Sequence, residues 1–369
     1  MKNSIGTSVI VTLFGESHGD AVGAVIDGLA PGIRIDNDRI SSQLALRKPY
    51  GDISTQRHED DEYQIVSGVF NGMTTGTPLC ILIPNKAQKS SDYEASRGPA
   101  RPGHADHTAH VKYHGYEDYR GGGHFSGRIT AALVAAGAVA LTALNERGIY
   151  IGTHISRLGG ISDSALGTGE EELRRDIEKL GSMRFAVLDE AAADAMQEAI
   201  RSAAAEGDSI GGILETAVTG LPAGIGEPWF DSLEGVLSHA VFSIPGIKGV
   251  QFGGGFDLAD ARGSSYNDPF YMKDGRVMTA TNNNGGINGG ISNGMPVVFS
   301  CAVKPTPSVS VKQKTVDILN GNDTEISVGG RHDPAIIHRA RVVVDSVTAI
   351  VLCDMLALRY GTDWPAAMA

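Results

Sequence analysis

Short apolar runs and one long apolar block organise this 369-residue chain. β-Branched and apolar residues over 8–14 and 22–29 predict two strands, and 64–70 and 78–84 predict two more. Between them, DNDRISSQLALRK (36–48) reads as a helix whose acidic start and basic end suit the helix dipole. ITAALVAAGAVALTALNERG (129–148) predicts a helix that is apolar nearly all round, and so buried on most sides. Residues 169–180 and 188–206 carry amphipathic spacing and predict surface helices. Strand character returns over 212–220, 297–303 and 309–312. A last helix is predicted from Asp333 as N-cap, with Pro334 in its first turn, to about Tyr360, where Gly361 stops it. Residues 85–125 are polar and irregular, long for a structureless loop, which points to function.

The strand–helix alternation of a parallel nucleotide-binding sheet is missing. The pattern predicts one integrated α+β domain over 1–369 with much antiparallel sheet. GAVIDGLAPGI (23–33) echoes ETAVTGLPAGI (215–225), each followed by a helix-like segment. Chance explains so short a match, and so would two related halves, about 1–207 and 208–369.

Composition narrows the class. Hydrophobic residues at 41% and charged residues at 20% are those of a globular protein. The 48 glycines fall in pairs and triplets that read as tight turns and close backbone approaches. Cys80, Cys301 and Cys353 lie far apart with no CxxC partner, as reduced thiols of a cytoplasmic protein would. The first residues read as too short and interrupted for a signal peptide, and no apolar stretch is read as approaching the ~18 residues of a membrane span. A net charge of −12 argues against nucleic-acid and membrane partners. Yet Arg97, Arg101, Lys112, Arg120 and Arg128 face only Asp106, Glu117 and Asp118, a basic island suited to an anionic small molecule.

No GxxxxGK[ST], no GxGxxG between strand and helix, no GxSxG and no HExxH is present. FGESHG (14–19) puts Ser17 and His18 into a glycine-bounded turn, either a plain turn or one that offers N–H groups and an imidazole to an anion. RPGHADHTAHVKYHG (101–115) spaces His104, His107, His110 and His114 at three, three and four. Zinc binding would want a helical scaffold, and Pro102, Gly103 and Gly115 argue against one. One functional histidine among solvated ones is the other reading. YRGGGHFSGR (119–128) is either an anion site at a helix entry or an entry capped by Ser126. TNNNGGINGGISNG (281–294) would let backbone approach a flat ligand, and GRHDP (330–334) sets Arg331, His332 and Asp333 at the start of the final helix.

Taken in order, FGESHG, TTGTP, RPGHAD, YRGGG with SGR, IKGVQFG, NGGISNG, KPTPS and GRHDP resemble the chorismate synthase family, from about residue 6 to 360. The resemblance implies a β-α-β sandwich with helices between antiparallel sheets, a homotetramer, a reduced-FMN site and no metal. It implies a carbon–oxygen lyase that eliminates phosphate and a C6 hydrogen, 1,4-anti, from 5-enolpyruvylshikimate-3-phosphate to give chorismate. That is the last shared step of the shikimate pathway of aromatic amino acid biosynthesis. By the same resemblance His18 sits near the leaving phosphate and His104 near the flavin ring. Asp333 helps relay the C6 proton through flavin N5, with Ser17 and Ser126 in support. Arg47, Arg57, Arg101, Arg128 and Arg331 would bind the substrate. FMN would rest on His124, Phe125, Ser126, Gly289, Lys304, Pro305, Thr306, Pro307, Ser308 and Arg331.

No flavin-reducing domain is visible, so an external flavin reductase is expected, with NADPH an indirect reductant. Of the clustered histidines only His104 falls on a family position, which leaves His107, His110 and His114 as surface or local electrostatics. The chain also departs from the family. HFSGRIT replaces RSSARET, so His124, Phe125 and Ile129 stand for Arg, Ser and Glu. The arginine run after the first helix shrinks to LRKPYGDISTQR, and Asp345 stands for a Glu. Two other classes stay open on the residues alone: a histidine-rich metal hydrolase, and a flavin-binding relative without turnover.

Overall fold

The computed structural model describes residues 2–55, 60–86, 98–329 and 332–368. Its first sheet contains β1 (Ser4–Ile5), β2 (Ile10–Gly15), β3 (Ala21–Asp27), β4 (Gln64–Ser67) and β5 (Leu79–Pro84), in the order β1-β2-β3-β5-β4. The second contains β6 (Tyr150–Leu158), β7 (Ile161–Ser162), β8 (Gly212–Thr219), β9 (Ile247–Phe252) and β10 (Val297–Val303), in the order β9-β10-β8-β6-β7. All pairs in both sheets are antiparallel. Period-two alternation sets the inner faces: Leu79, Ile81 and Ile83 of β5 and Val297, Phe299, Cys301 and Val303 of β10 are buried, with less buried residues between them.

The principal helices are α1 (Asn37–Arg47), α2 (Asp106–Tyr113), α3 (Thr130–Asn145), α4 (Glu170–Gly181), α5 (Glu190–Ala205), α6 (Leu233–Phe242) and α7 (Ile337–Tyr360). α3 packs on the first sheet, α7 on the second, and the two helices pack on each other, giving the expected β-α-β sandwich. A Cβ on Gly137 would lie 2.2 Å from Cβ of Ser346, so the α3–α7 crossing requires glycine there. α4 covers the outer face of the second sheet through Leu173 and Ile177, which cluster with Ala217 of β8. Asp354 of α7 accepts the N–H groups of Thr7, Ser8 and Val9 and ties the N-terminal turn to the core.

The echoed segments hold equivalent places, since β3 and β8 are each the central strand of their sheet. Gly28 and Gly220 match within the echo. Both have positive φ, and an added Cβ would meet the carbonyl of Ser8 or Gly148 at 1.8 and 2.1 Å. The second sheet draws on β6, so the chain passes from one sheet to the other before Tyr150 and not near residue 207.

Four sequence expectations need correction. Gly127–Asn145 is long and apolar enough to cross a membrane, but 89% of that window is buried in the protein, as a core helix between sheet and helix must be. Residues 85–125 are not wholly irregular: the histidine segment forms α2, and Gly115 with φ +80 lies just past its end, a stop and not a breaker. Residues 309–312 form no strand, because Ser310 and Val311 donate to the carbonyl of Gly207 in a loop. Asp333 is not an N-cap. α7 starts at Ile337, and the Asp333 carboxylate is committed to Thr55 and Arg339.

Candidate functional site

The loops at one edge of the helix layer enclose a cavity of about 830 Å³. Its walls come from β1, β2, α1, the segment before α2, the glycine run before α3, α6, the start of β9, the turn after β10 and α7. Lys2, Arg47, Lys248, Lys304 and Arg339 line it, with His104, His124 and His239, while Asp333 is the one lining carboxylate among the described residues. In a chain of net charge −12 this is a concentrated cationic pocket. Ile129, Leu133, Ile244, Val343 and Val347 supply an apolar wall.

The run Gly121-Gly122-Gly123 organises the two candidate histidines. All three glycines have positive φ. A Cβ on Gly121 would lie 2.4 Å from His18 Cε1, and one on Gly122 would lie 3.2 Å from His104 Cε1. Side chains here would displace both imidazoles, which explains the run. Gly123 also accepts the Ser17 N–H (3.0 Å), pinning the FGESHG turn. Ser17 Oγ and His18 Nδ1 share a hydrogen bond of 3.1 Å, and both residues are buried. They stand behind Gly121 and do not themselves line the cavity. Gly121→Ala should therefore lose most of the turnover that removing His18 loses. Its backbone cost, ~1–2 kcal/mol for a left-handed alanine, should be matched by Gly160→Ala, which is also left-handed but has nothing within 4 Å. Turnover and thermal melts of the two variants check this, and equal activity would separate Gly121 from His18.

His104 lines the cavity and is oriented by Asp106. Its Nδ1 donates to Asp106 Oδ1 at 2.6 Å, which leaves Nε2 for the cavity side. Arg101 grips the same carboxylate with two bonds, Nε to Oδ2 (2.8 Å) and Nη2 to Oδ1 (2.7 Å). Burial pushes the Asp106 carboxyl up, but bonds from Arg101 and His104 take it far below the usual carboxylate range. Arg101 is thus occupied with Asp106 and does not line the cavity. Within α2, His110 donates to Glu117 (3.0 Å), and His107, His110 and His114 stay off the cavity wall. No three His, Cys, Asp or Glu side chains converge as metal ligands among the described residues.

Arg47 and Arg128 meet on Asp61, whose side chain is fully buried. Arg47 Nη2 donates to Oδ2 at 3.0 Å and Arg128 Nη1 donates to Oδ1. Arg128 also donates to Asn85 Oδ1 (2.9 Å) and the carbonyl of Pro84 (3.3 Å), so of the two arginines only Arg47 reaches the wall. Ser126 lines the cavity and accepts the Arg128 N–H (3.3 Å). His124 donates from Nδ1 to the carbonyl of Gly15 (2.8 Å), and Phe125 stacks edge-on against Tyr113. The turn Lys304–Ser308 also lines the cavity, beside Gly103. Burial, then Lys248, hold the Lys304 ammonium below its usual value, and its Nζ donates to the carbonyl of Gly103.

Asp333 lines the cavity, with Oδ1 accepting the Thr55 N–H (2.8 Å) and Oδ2 accepting from Arg339. Gly289 sits in the turn between Ile287–Asn288 and Ile291–Ser292 and does not line the cavity. Arg57, Arg97 and Arg331 lie outside the described residues. Sequence reasoning missed four features of the site: Asp61, Arg339, Asp106 as the orienter of His104, and the wall from Pro245–Gly246 with Lys248. Local signals existed for Asp106, two residues after His104 in RPGHAD, and for Lys248, inside IKGVQFG.

Comparison with known proteins covers nearly the whole chain. The family model described as chorismate synthase matches residues 9–357. A chorismate synthase of Dehalococcoides mccartyi is 47% identical, over 98% of this chain and 98% of the relative. One of Pyrococcus abyssi is 46% identical, over 96% and 97%. A solved structure described as a crystal structure of chorismate synthase superposes with a TM-score of 0.76 at 28% identity, covering 97% of this chain and 94% of the other.

Proposed function

The chain belongs to the chorismate synthase family, and from that premise we propose that its cavity converts 5-enolpyruvylshikimate-3-phosphate to chorismate with reduced FMN bound. The observation that carries this reading is the cavity itself, five cations against one carboxylate among the described residues, with His104 on its wall and His18 behind Gly121. The substrate brings a phosphate and two carboxylates, so such a pocket matches its charge.

The residues fit the flavin. About 830 Å³ lies in the upper part of the ~300–1,000 Å³ range of small-molecule sites. The apolar wall suits a flat ring, and Lys304 through Ser308 with Gly246 offer a cationic turn to a phosphate. His124, Phe125, Ser126, Lys304, Pro305, Thr306, Pro307 and Ser308 would hold it. Gly289 is not on this wall, and Ile129 makes apolar what the family keeps acidic. The chemistry that reduced FMN would supply when held by these residues is a transient electron to assist loss of phosphate, with no net redox change.

The chain's own groups do the rest. His18 gives a proton to the departing phosphate, and Ser17 orients its ring. Asp106 fixes the His104 ring with Nδ1–H on its carboxylate, so Nε2 faces the ring site and exchanges a proton there. Asp333 takes up the proton lost from C6. Arg47 and Lys304 bind the anionic groups. The reading includes a homotetramer in the cytoplasm, served by an external flavin reductase.

Anaerobic mixing with substrate and chemically reduced FMN tests this. One phosphate released per chorismate is expected, and none with oxidised FMN alone. FMN bound without product would make the chain a non-catalytic relative.

A further inference from the structure

We propose that Arg339 is a positioning residue that aims Asp333 into the cavity, an inference that rests on Asp333 handling the C6 proton. Asp333 lies in the connection before α7, where no helical hydrogen bond fixes it. Its carboxylate has two anchors. The Thr55 N–H holds Oδ1 at 2.8 Å, and the Arg339 guanidinium holds Oδ2. Arg339 is itself fixed, because its Nε donates to the carbonyl of Arg47 at 2.8 Å. That carbonyl belongs to the last turn of α1, where helical partners run out. One planar fork therefore spans the end of α1 and the carboxylate, a geometry that a lysine cannot reproduce at both points. The neighbouring His338 bonds Ser54 through Nε2 (2.7 Å) and so braces the segment that presents Thr55.

The cavity's composition gives this brace a purpose. The one lining carboxylate among the described residues shares the cavity with Lys2, Arg47, Lys248 and Lys304, several cations to turn toward. Arg339 and Thr55 together decide which way it points. Arg47 offers its carbonyl here while Asp61 holds its guanidinium, so Arg339 does not merely duplicate Arg47.

The test is a double-mutant cycle of Arg339→Ala and Asp333→Asn in the full-length protein, with saturating reduced FMN and varied substrate. Arg339→Ala should lower kcat about 100-fold, the scale of a ~1 Å misplacement. KM should move less than about threefold if the substrate is not its partner. In the Asp333→Asn background the same change should cost almost nothing more, because the two act through one group. Arg339→Lys should recover part of kcat, and the fluorescence-measured affinity for oxidised FMN should hold in every variant. A tenfold rise in KM with kcat kept would overturn the proposal and make Arg339 a substrate ligand. Additive losses, or losses that track FMN affinity, would overturn it in favour of general support. If Arg339→Ala fails to fold, Arg339→Lys decides: reduced kcat at near-constant KM sustains the proposal, and wild-type kinetics overturn it. Asp333→Asn turning over like wild type would instead remove the role of Asp333 beneath the inference.

Discussion

His18→Ala and His104→Ala should each slow turnover by ~10²–10⁴, the range for loss of a positioned general acid or base. Steady-state rates with reduced FMN, beside a thermal melt, read the effect. Among the described hydrogen bonds Ser17 holds His18 and Asp106 holds His104, and no helix or strand depends on either side chain, so the fold should survive. Replacing His107, His110 and His114 together should cost far less, since none lines the cavity. Wild-type rates for either single variant would remove the role assigned to it. Asp106 sharpens the contrast. With a carboxylate on Nδ1, the imidazole keeps its second nitrogen for proton transfer toward the cavity, and His107 and His114 show no such partner among the described hydrogen bonds.

The layered fold was legible because its elements are locally consistent. α3 is Ala-rich with no polar stripe, the pattern of a helix that has no face for water. β2, β3 and β5 carry short apolar runs bounded by glycine or turns. The errors came where one residue type serves two purposes. Gly115 looks like a helix breaker in sequence and is the stop just beyond α2. Asp-Pro looks like a cap and first turn, yet long-range partners claim the Asp333 carboxylate first. The site motifs were legible for a different reason. FGESHG, RPGHAD, YRGGG and KPTPS are turns that bring backbone close to a side chain or ligand, and Gly121 and Gly122 show what that closeness excludes. Their partners were not legible. Asp61 lies 14 residues from Arg47 and 67 from Arg128, and nothing in the local pattern assigns it to either.

Asp61→Asn should destabilise the protein by about 3–5 kcal/mol, the usual cost of breaking a buried ion pair from one side. Asparagine keeps the shape and tolerates the positive φ of 50° at this position, so the change isolates the charge. It removes the carboxylate that the Arg47 and Arg128 guanidiniums share, each of them almost wholly buried. Burial pushes the Asp61 carboxyl up, and the two arginines more than reverse this, so its folded pKa lies below the ordinary 3.8. A lowered folded pKa gives stability that is fully present above the unfolded value and lost as pH falls through the folded one. The gap between wild type and Asp61→Asn, measured by denaturant melts, should therefore be constant above about pH 5. It should narrow as pH drops below 3.8. A gap that persisted unchanged into acid would show that the lost term is packing and not charge. Replacing Arg47 and Arg128 by Met in the Asp61→Asn background should recover most of the loss, since well-packed apolar groups replace buried ions with little penalty. That recovery would come without activity, because Arg47 is the member of the trio that reaches the cavity wall. Stability and anion binding at this point of the fold thus draw on the same guanidinium, and the two assays should move in opposite directions in that variant.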